Sequence, residues 1–219
     1  MVAEFSIAIG IKLNLNQREL VNLATSALLH DIGKLCINKE LLDKIKLSDK
    51  ELMYQEKLHP IYAYSLLSKV PEITATTKTA ILFHHRNEDG TGFPENIKVP
   101  DHIFYKILHV ADTYDNLISS KNGMNPSDAL EYLYANSGTL FNVDVVNAFK
   151  SCIPIYPRGI EVKLSNGLDG VVIDNTGDKS RPKIKVLIKG TNVVFDLRKN
   201  LDITIKYVKT NYEDIEKRY

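Results

Sequence analysis

Apolar residues recur at helical spacing along the first two thirds of the chain and in short β-branched runs along the last third. Phe5, Ile9 and Leu13 already carry the helical period with no capping residue ahead of them, so the sequence reads as a fragment opening inside a helix. Asn16-Gln17-Arg18-Glu19 forms a capping box, in which the asparagine accepts from early backbone N–H groups and the glutamate reaches back. Leu20, Leu23, Ala24, Ala27 and Leu28 then share one face of a helix that ends near His30-Asp31-Ile32-Gly33. Ser48-Asp49-Lys50-Glu51 repeats the box and predicts a helix carrying Leu52 and Leu58 to His59-Pro60. The proline breaks or restarts that helix, and the pattern continues from Tyr62 to Val70. Further helices are predicted from about Thr74 to His85, from an Asp101 cap to Leu117, from Asn125-Pro126, and near Val143 to Ser151.

After Pro154 and Pro157 the period changes. Val162-Lys163-Leu164, Val171-Val172-Ile173, Ile184 to Ile188, Val193-Val194-Phe195 and Ile203-Thr204-Ile205 read as strands. Turn signals separate them at Ser165-Asn166-Gly167, Asn175-Thr176-Gly177, Lys189-Gly190 and Lys199-Asn200. The expected class is α+β: an all-α bundle over residues 1–153, then a small antiparallel β module over residues 154–219.

Composition narrows the function classes without choosing one. Hydrophobic residues at 44% and charged residues at 25% describe an ordinary globular chain of 219 residues. The 28 Lys+Arg nearly balance 27 Asp+Glu, which argues against a nucleic-acid polymer as partner. Cys36 and Cys152 are far apart and form no CxxC pair, so neither a disulfide framework nor a thiolate metal site is expected. No apolar run reaches membrane-spanning length, and a cytoplasmic setting is expected.

The chemistry concentrates at His84-His85 and the turn Asp89-Gly90-Thr91-Gly92-Phe93-Pro94 behind it. A single histidine at a helix end is usually structural. Here His30-Asp31, His59 and His84-His85 all close helices that can meet at one bundle end, with Asp112 facing them. Imidazole and carboxylate donors without thiolate suit iron, manganese or zinc, and a bridging carboxylate suits two ions together.

His30-Asp31-Ile32-Gly33-Lys34, His59-Pro60, His84-His85 with the Asp89 to Pro94 turn, and Ala111-Asp112-Thr113-Tyr114-Asp115 resemble the HD-GYP family in order and spacing. That family is a branch of the HD-domain metal-dependent phosphohydrolases, and the resemblance covers roughly Val2 to Ser151. It implies a cyclic di-GMP phosphodiesterase with two transition-metal ions, iron or manganese. Asp31 would bridge them; His59, His84 and His85 would complete one site, and His30 and Asp112 would bind the other ion. Asp31 and Lys34 are the implied catalytic pair, with Lys34 meeting a phosphate oxygen. Lys34, Asp89, Gly90, Gly92, Phe93 and Lys121 are the implied substrate contacts. Signalling-protein partners and a homodimer are also compatible with it; no membrane partner is expected.

Four departures from the family pattern stand in the sequence. A further histidine on the first helix, upstream of the segment resembling Val2 to Ser6, is not held, so one ion is expected to be held more weakly. Phe93 stands where the family has tyrosine, and Arg86 where it usually has glutamate. Ser120-Lys121-Asn122-Gly123-Met124 replaces an arginine-rich stretch, leaving Lys121 as a point charge rather than a bidentate fork. Two alternatives therefore stay open beside the phosphodiesterase: a degenerate domain that binds nucleotide or metal and works through protein contacts, and an HD phosphohydrolase of another nucleotide. His102 and His109 match no motif position, and the tyrosines Tyr54, Tyr62, Tyr64, Tyr132 and Tyr134 read as packing. Lys179, Arg181, Lys183 and Lys185 read as a solvated basic face.

Overall fold

A computed structural model describes residues 1–37, 54–120, 123–152, 156, 158–175 and 180–209. The box expected at Ser48 to Glu51 and the contact expected at Lys121 lie outside the described residues. The chain divides into two compact units: Met1–Asp115 with Leu133–Ile153, and Asn116–Tyr132 with Pro154–Tyr219.

The first unit is helical. Helices α1 (Val2–Lys12) and α2 (Gln17–Leu29) are joined by a turn in which the capping box forms in full. Glu19 N donates to Asn16 Oδ1 at 3.0 Å, and Asn16 N donates to Glu19 Oε2 at 2.8 Å. A 3₁₀ turn (Ile32–Cys36) follows, then α3 (His59–Ser68), which carries Pro60 in its first turn, where a missing N–H costs nothing. Helix α4 (Ala75–Phe83) is capped by Thr74, whose hydroxyl accepts from Thr77 N at 3.2 Å. It stops at Phe83, two residues short of the expected end. His84 closes it, and His85 belongs instead to a short hairpin of β1 (His85–Arg86) and β2 (Gly92–Phe93).

Helix α5 (Ile103–Ser119) starts without the expected Asp101 cap. Phe104 N donates to His102 Nδ1 at 3.2 Å, while Asp101 pairs with Lys106 at 3.0 Å. Helix α6 (Pro126–Ala135) lies mostly in the second unit, whereas α7 (Val143–Cys152) belongs to this one. Ile9, Leu23, Ile81, Ile107, Leu108, Val145 and Phe149 are buried in this unit, each almost completely. Edge-on rings of Phe5, Tyr114 and Phe149, with centroids 4.7 to 5.8 Å apart, tie α1, α5 and α7 together. Tyr54 and Tyr64 are exposed rather than packed.

The second unit holds β3 (Glu161–Leu164), β4 (Asp169–Asp174), β5 (Lys183–Ile188), β6 (Thr191–Asp196) and β7 (Ile205–Lys209). They pair antiparallel in the order β6-β5-β4-β3-β7. Alternate residues Val162, Leu164, Val172, Ile184 and Val186 fill its core with Tyr156, Leu197 and Ile203. Of the expected basic face, Lys185 is exposed and Lys179 lies outside the described residues, while the other two members are engaged. Arg181 donates to the carbonyls of Leu197, Asn200, Leu201 and Ile203, at 2.7 to 3.3 Å, and so fastens the loop before β7. Lys183 pairs with Asp174 at 3.1 Å.

Candidate metal centre

Six residues from six elements are brought to one end of the helical unit. His30 closes α2 and Asp31 opens the 3₁₀ turn; His59 is the first residue of α3 and His84 follows the last of α4. His85 comes from the hairpin and Asp112 from the buried face of α5. Gly33 makes the first junction possible, because a Cβ there would run into the His59 carbonyl oxygen and the Ala63 nitrogen. Gly33→Ala is therefore expected to part Asp31 from His59 and to destabilise the fold by about 1–3 kcal/mol, as overpacking does. Chemical denaturation measures the second effect; an unchanged midpoint would contradict the close approach.

Three of the histidines are oriented by one device. His30 Nδ1 lies 2.8 Å from Ala27 O, His59 Nδ1 2.6 Å from Glu56 O, and His84 Nδ1 2.6 Å from Ile81 O. Each partner is the carbonyl three residues back, which fixes the proton on Nδ1 and leaves the Nε2 lone pair facing the site. His59 Nε2 and His84 Nε2 then lie 3.3 Å apart with no proton between them, an arrangement that calls for a cation. Asp31 spans the site: Oδ1 lies 3.2 Å from His59 Nε2, and Oδ2 3.4 Å from His30 Nε2. Asp112 Oδ1 is also 3.4 Å from His30 Nε2, which is buried.

The donors form two groups, His59–His84–His85 and His30–Asp31–His84, each with ligand atoms within 4.8 Å of one another. That spread fits an ion bonded at about 2.0–2.2 Å to nitrogen and carboxylate oxygen. The residues present therefore fit resident metal, and His84, assigned by the sequence to one group, belongs to both.

The hairpin beside the donors is built from its own turn chemistry. Asp89 Oδ1 accepts from Thr91 N at 2.9 Å and from Thr91 Oγ1 at 2.7 Å, so the carboxylate closes the turn. Gly92 sits at φ 85°, and a Cβ there would strike the His85 carbonyl. The Phe93 ring lies 4.5 Å from the His85 ring and 33° from parallel with it. Lys34 Nζ reaches Asp31 Oδ2 at 2.6 Å.

Residues 2–145 match the family model for the HD domain. The chain belongs to the HD domain family. It is 30% identical to "Cyclic di-GMP phosphodiesterase PA4108" of Pseudomonas aeruginosa, over 88% of this chain and 48% of that one. Against "Cyclic di-GMP phosphodiesterase PdeB" of Borreliella burgdorferi the identity is 26%, over 88% of this chain and 52% of the relative. "3'3'-cGAMP-specific phosphodiesterase 3" of Vibrio cholerae is 28% identical over 71% of this chain and 35% of its own. The chain thus spans about half the length, or less, of these curated relatives. In fold it is similar to Bd1817, "a HDG"Y"P protein from Bdellovibrio bacteriovorus", with a TM-score of 0.56 and 23% identity over 68% of this chain and 49% of that one.

Within this HD domain the histidines differ in charge. Burial pushes the His84 imidazole well below its ordinary range, helped by neighbouring His85 and His30. Burial likewise lowers His59, and takes His85 down to about 3. These three are neutral near pH 7 and offer lone pairs. His30 is the exception: burial opposes its charge, but the Asp112 hydrogen bond and the charges of Asp31 and Asp112 outweigh it and raise its pKa. Groups lowered in the fold leave protons to the unfolded chain, so stability falls as pH drops below about 6.5 and on towards His85's value of about 3. The His30 contribution runs the other way and is lost as pH rises through its folded value. Metal-free protein is expected to melt at a lower temperature at pH 5 than at pH 7.5, which scanning calorimetry with chelator checks; equal midpoints would contradict it.

Outside the motif positions His109 packs, whereas the role of Arg86 escaped the sequence. His109 is buried against Phe141, with ring centroids 4.9 Å apart, and bonds to the Arg86 backbone. Arg86 itself turns into the hairpin, where Nη1 donates to Gly92 O and Pro94 O, each at 3.1 Å. An arginine six and eight residues from such carbonyls carries no sequence signal, because the pairing depends on the hairpin register.

Proposed function

We propose that this HD domain is a metal-dependent phosphodiesterase that hydrolyses a cyclic dinucleotide, cyclic di-GMP foremost, to linear pGpG and/or GMP. The observation that carries the reading is the pair of donor groups sharing His84 and spanned by Asp31. Relatives named as cyclic di-GMP and 3'3'-cGAMP phosphodiesterases support the substrate class.

The imidazole and carboxylate donor set suits iron or manganese, the ions that the HD-GYP resemblance implies. When bound, such ions supply a nucleophilic water at neutral pH and offset charge developing on the phosphate. His59, His84 and His85 would hold one ion, His30 and Asp112 the other, with Asp31 between them. Lys34 would exchange its Asp31 partner for a phosphate oxygen, adding a positive charge where the transition state gains negative charge. Gly90 would leave the backbone open to the substrate, Gly92 would contact it from beside His85, Phe93 would offer a ring face to a base, and Asp89 keeps the turn in shape. Lys121 supplies a further charge to phosphate. The working unit in this reading is residues 1–153, with the β module of residues 154–219 appended. No helix among the described residues is long and apolar enough to cross a membrane. We place the activity in the cytoplasm, in a homodimer that answers to signalling-protein partners.

Chromatography of cyclic di-GMP and 3'3'-cGAMP incubated with protein and Mn²⁺ or Fe²⁺ tests the proposal. Linear dinucleotide or mononucleotide is the expected product; none from either substrate in metal-loaded protein would overturn it. Elemental analysis after expression in metal-replete medium is expected to find iron or manganese, and protein free of both would refute the metal assignment.

A further inference from the structure

We propose that Arg86 is a positioning residue for the metal centre: it clamps the carbonyls on either side of Phe93, so that Phe93 holds the His85 imidazole in its ligating orientation. The inference rests on the metal reading above and adds a residue to it. Arg86 Nη1 donates to Gly92 O and Pro94 O, each at 3.1 Å, and these are the carbonyls that flank Phe93. The hairpin register sets His85 opposite Phe93 and Arg86 opposite Gly92, so the clamp and the stacked ring occupy adjacent rungs. Phe93 lies 4.5 Å from His85, and a second anchor comes from behind, where His109 on α5 bonds to the Arg86 backbone.

His85 needs such support. The other three histidines have Nδ1 fixed by the carbonyl three residues back, whereas His85 lies on a strand, where that carbonyl is out of reach. A guanidinium donating to two half-buried carbonyls makes charge-assisted bonds, which hold geometry more firmly than neutral ones. The glutamate usual at this place in the HD-GYP pattern is acceptor-only when ionised and could not make them.

Co²⁺ titration of the full chain, followed by visible absorption, reads the His85 environment without requiring turnover. Arg86→Met is expected to weaken Co²⁺ binding about ten-fold, as loss of a supporting contact to a ligand does, and to change the absorption bands. Arg86→Lys keeps a cationic donor and should restore most of both. Asn87→Ala removes only the 2.8 Å bond from Asn87 to Thr91 in the same turn and should leave both unaltered. An Arg86→Met protein with unchanged affinity and spectrum would overturn the inference, as would an Asn87→Ala protein equally perturbed. Should Arg86→Met fail to fold, Phe93→Leu must shift the spectrum, and an unshifted spectrum overturns the proposal. If the unaltered chain takes up no Co²⁺, the metal reading itself fails and this inference with it.

Discussion

Asp31→Ala is expected to abolish cyclic-dinucleotide cleavage and to strip metal from both donor groups. The carboxylate reaches across the site, with Oδ1 on the His59 side and Oδ2 on the His30 side. Truncation leaves His30 without one of its two carboxylate neighbours and Lys34 without its 2.6 Å partner. Both halves of the centre lose charge at once, where a change at an outlying ligand would cost one half. The loss in turnover should be at least about 10²-fold, the scale of removing a single preorganised electrostatic contact. The fold should survive, because 39% of the Asp31 side chain is exposed and its removal opens no buried cavity. Turnover, metal content and circular dichroism measured on one preparation separate these effects. Retained metal in both groups, or unchanged turnover in a folded variant, would sink the bridging role.

What the sequence disclosed follows from how local each signal is. The Asn16–Glu19 box lies within one helical turn and forms as written. The strand runs of the β module alternate at period two, and the alternate residues Val162, Leu164, Val172, Ile184 and Val186 are the ones buried. Even the convergence of His30, Asp31, His59, His84 and Asp112 was legible, since each sits where a helix ends or turns its buried face inward. The failures have a common cause, which is competition settled by partners distant in sequence. Asp101 is a better N-cap than His102 by residue type, yet Lys106 captures its carboxylate. His85 continues the helical spacing of α4, but pairing with Phe93 draws it into the hairpin. Arg181 looked like surface charge until the loop from Leu197 to Ile203 folded around it. The sharing of His84 was invisible for the same reason, because spacing tells which residues approach a site and not which atoms face each other across it.

His84→Ala should therefore differ in kind from His85→Ala. His84 is fully buried, and its ring lies 5.2 Å from His30, 5.2 Å from His59 and 3.9 Å from His85. It is the donor common to both groups, whereas His85 belongs to one. Removing His84 takes a donor from both groups at once and leaves the carboxylates of Asp31 and Asp112 with the remaining imidazoles, so both ions are held more weakly. Removing His85 spares His30, Asp31 and His84, a three-ligand set of the kind that open metal sites use. The expected result is a markedly greater loss of metal from His84→Ala than from His85→Ala, which retains an ion. Both variants should lose activity, His84→Ala by at least about 10²-fold. Elemental analysis distinguishes them even when neither turns over substrate. Folding must be checked, since deleting a buried ring leaves a cavity; His84→Gln, closer to it in volume, answers the same question with less disruption. Equal metal retention in the His84 and His85 variants would mean that the two groups do not share a ligand, and that the 3.3 Å approach of His59 to His84 belongs to one site alone.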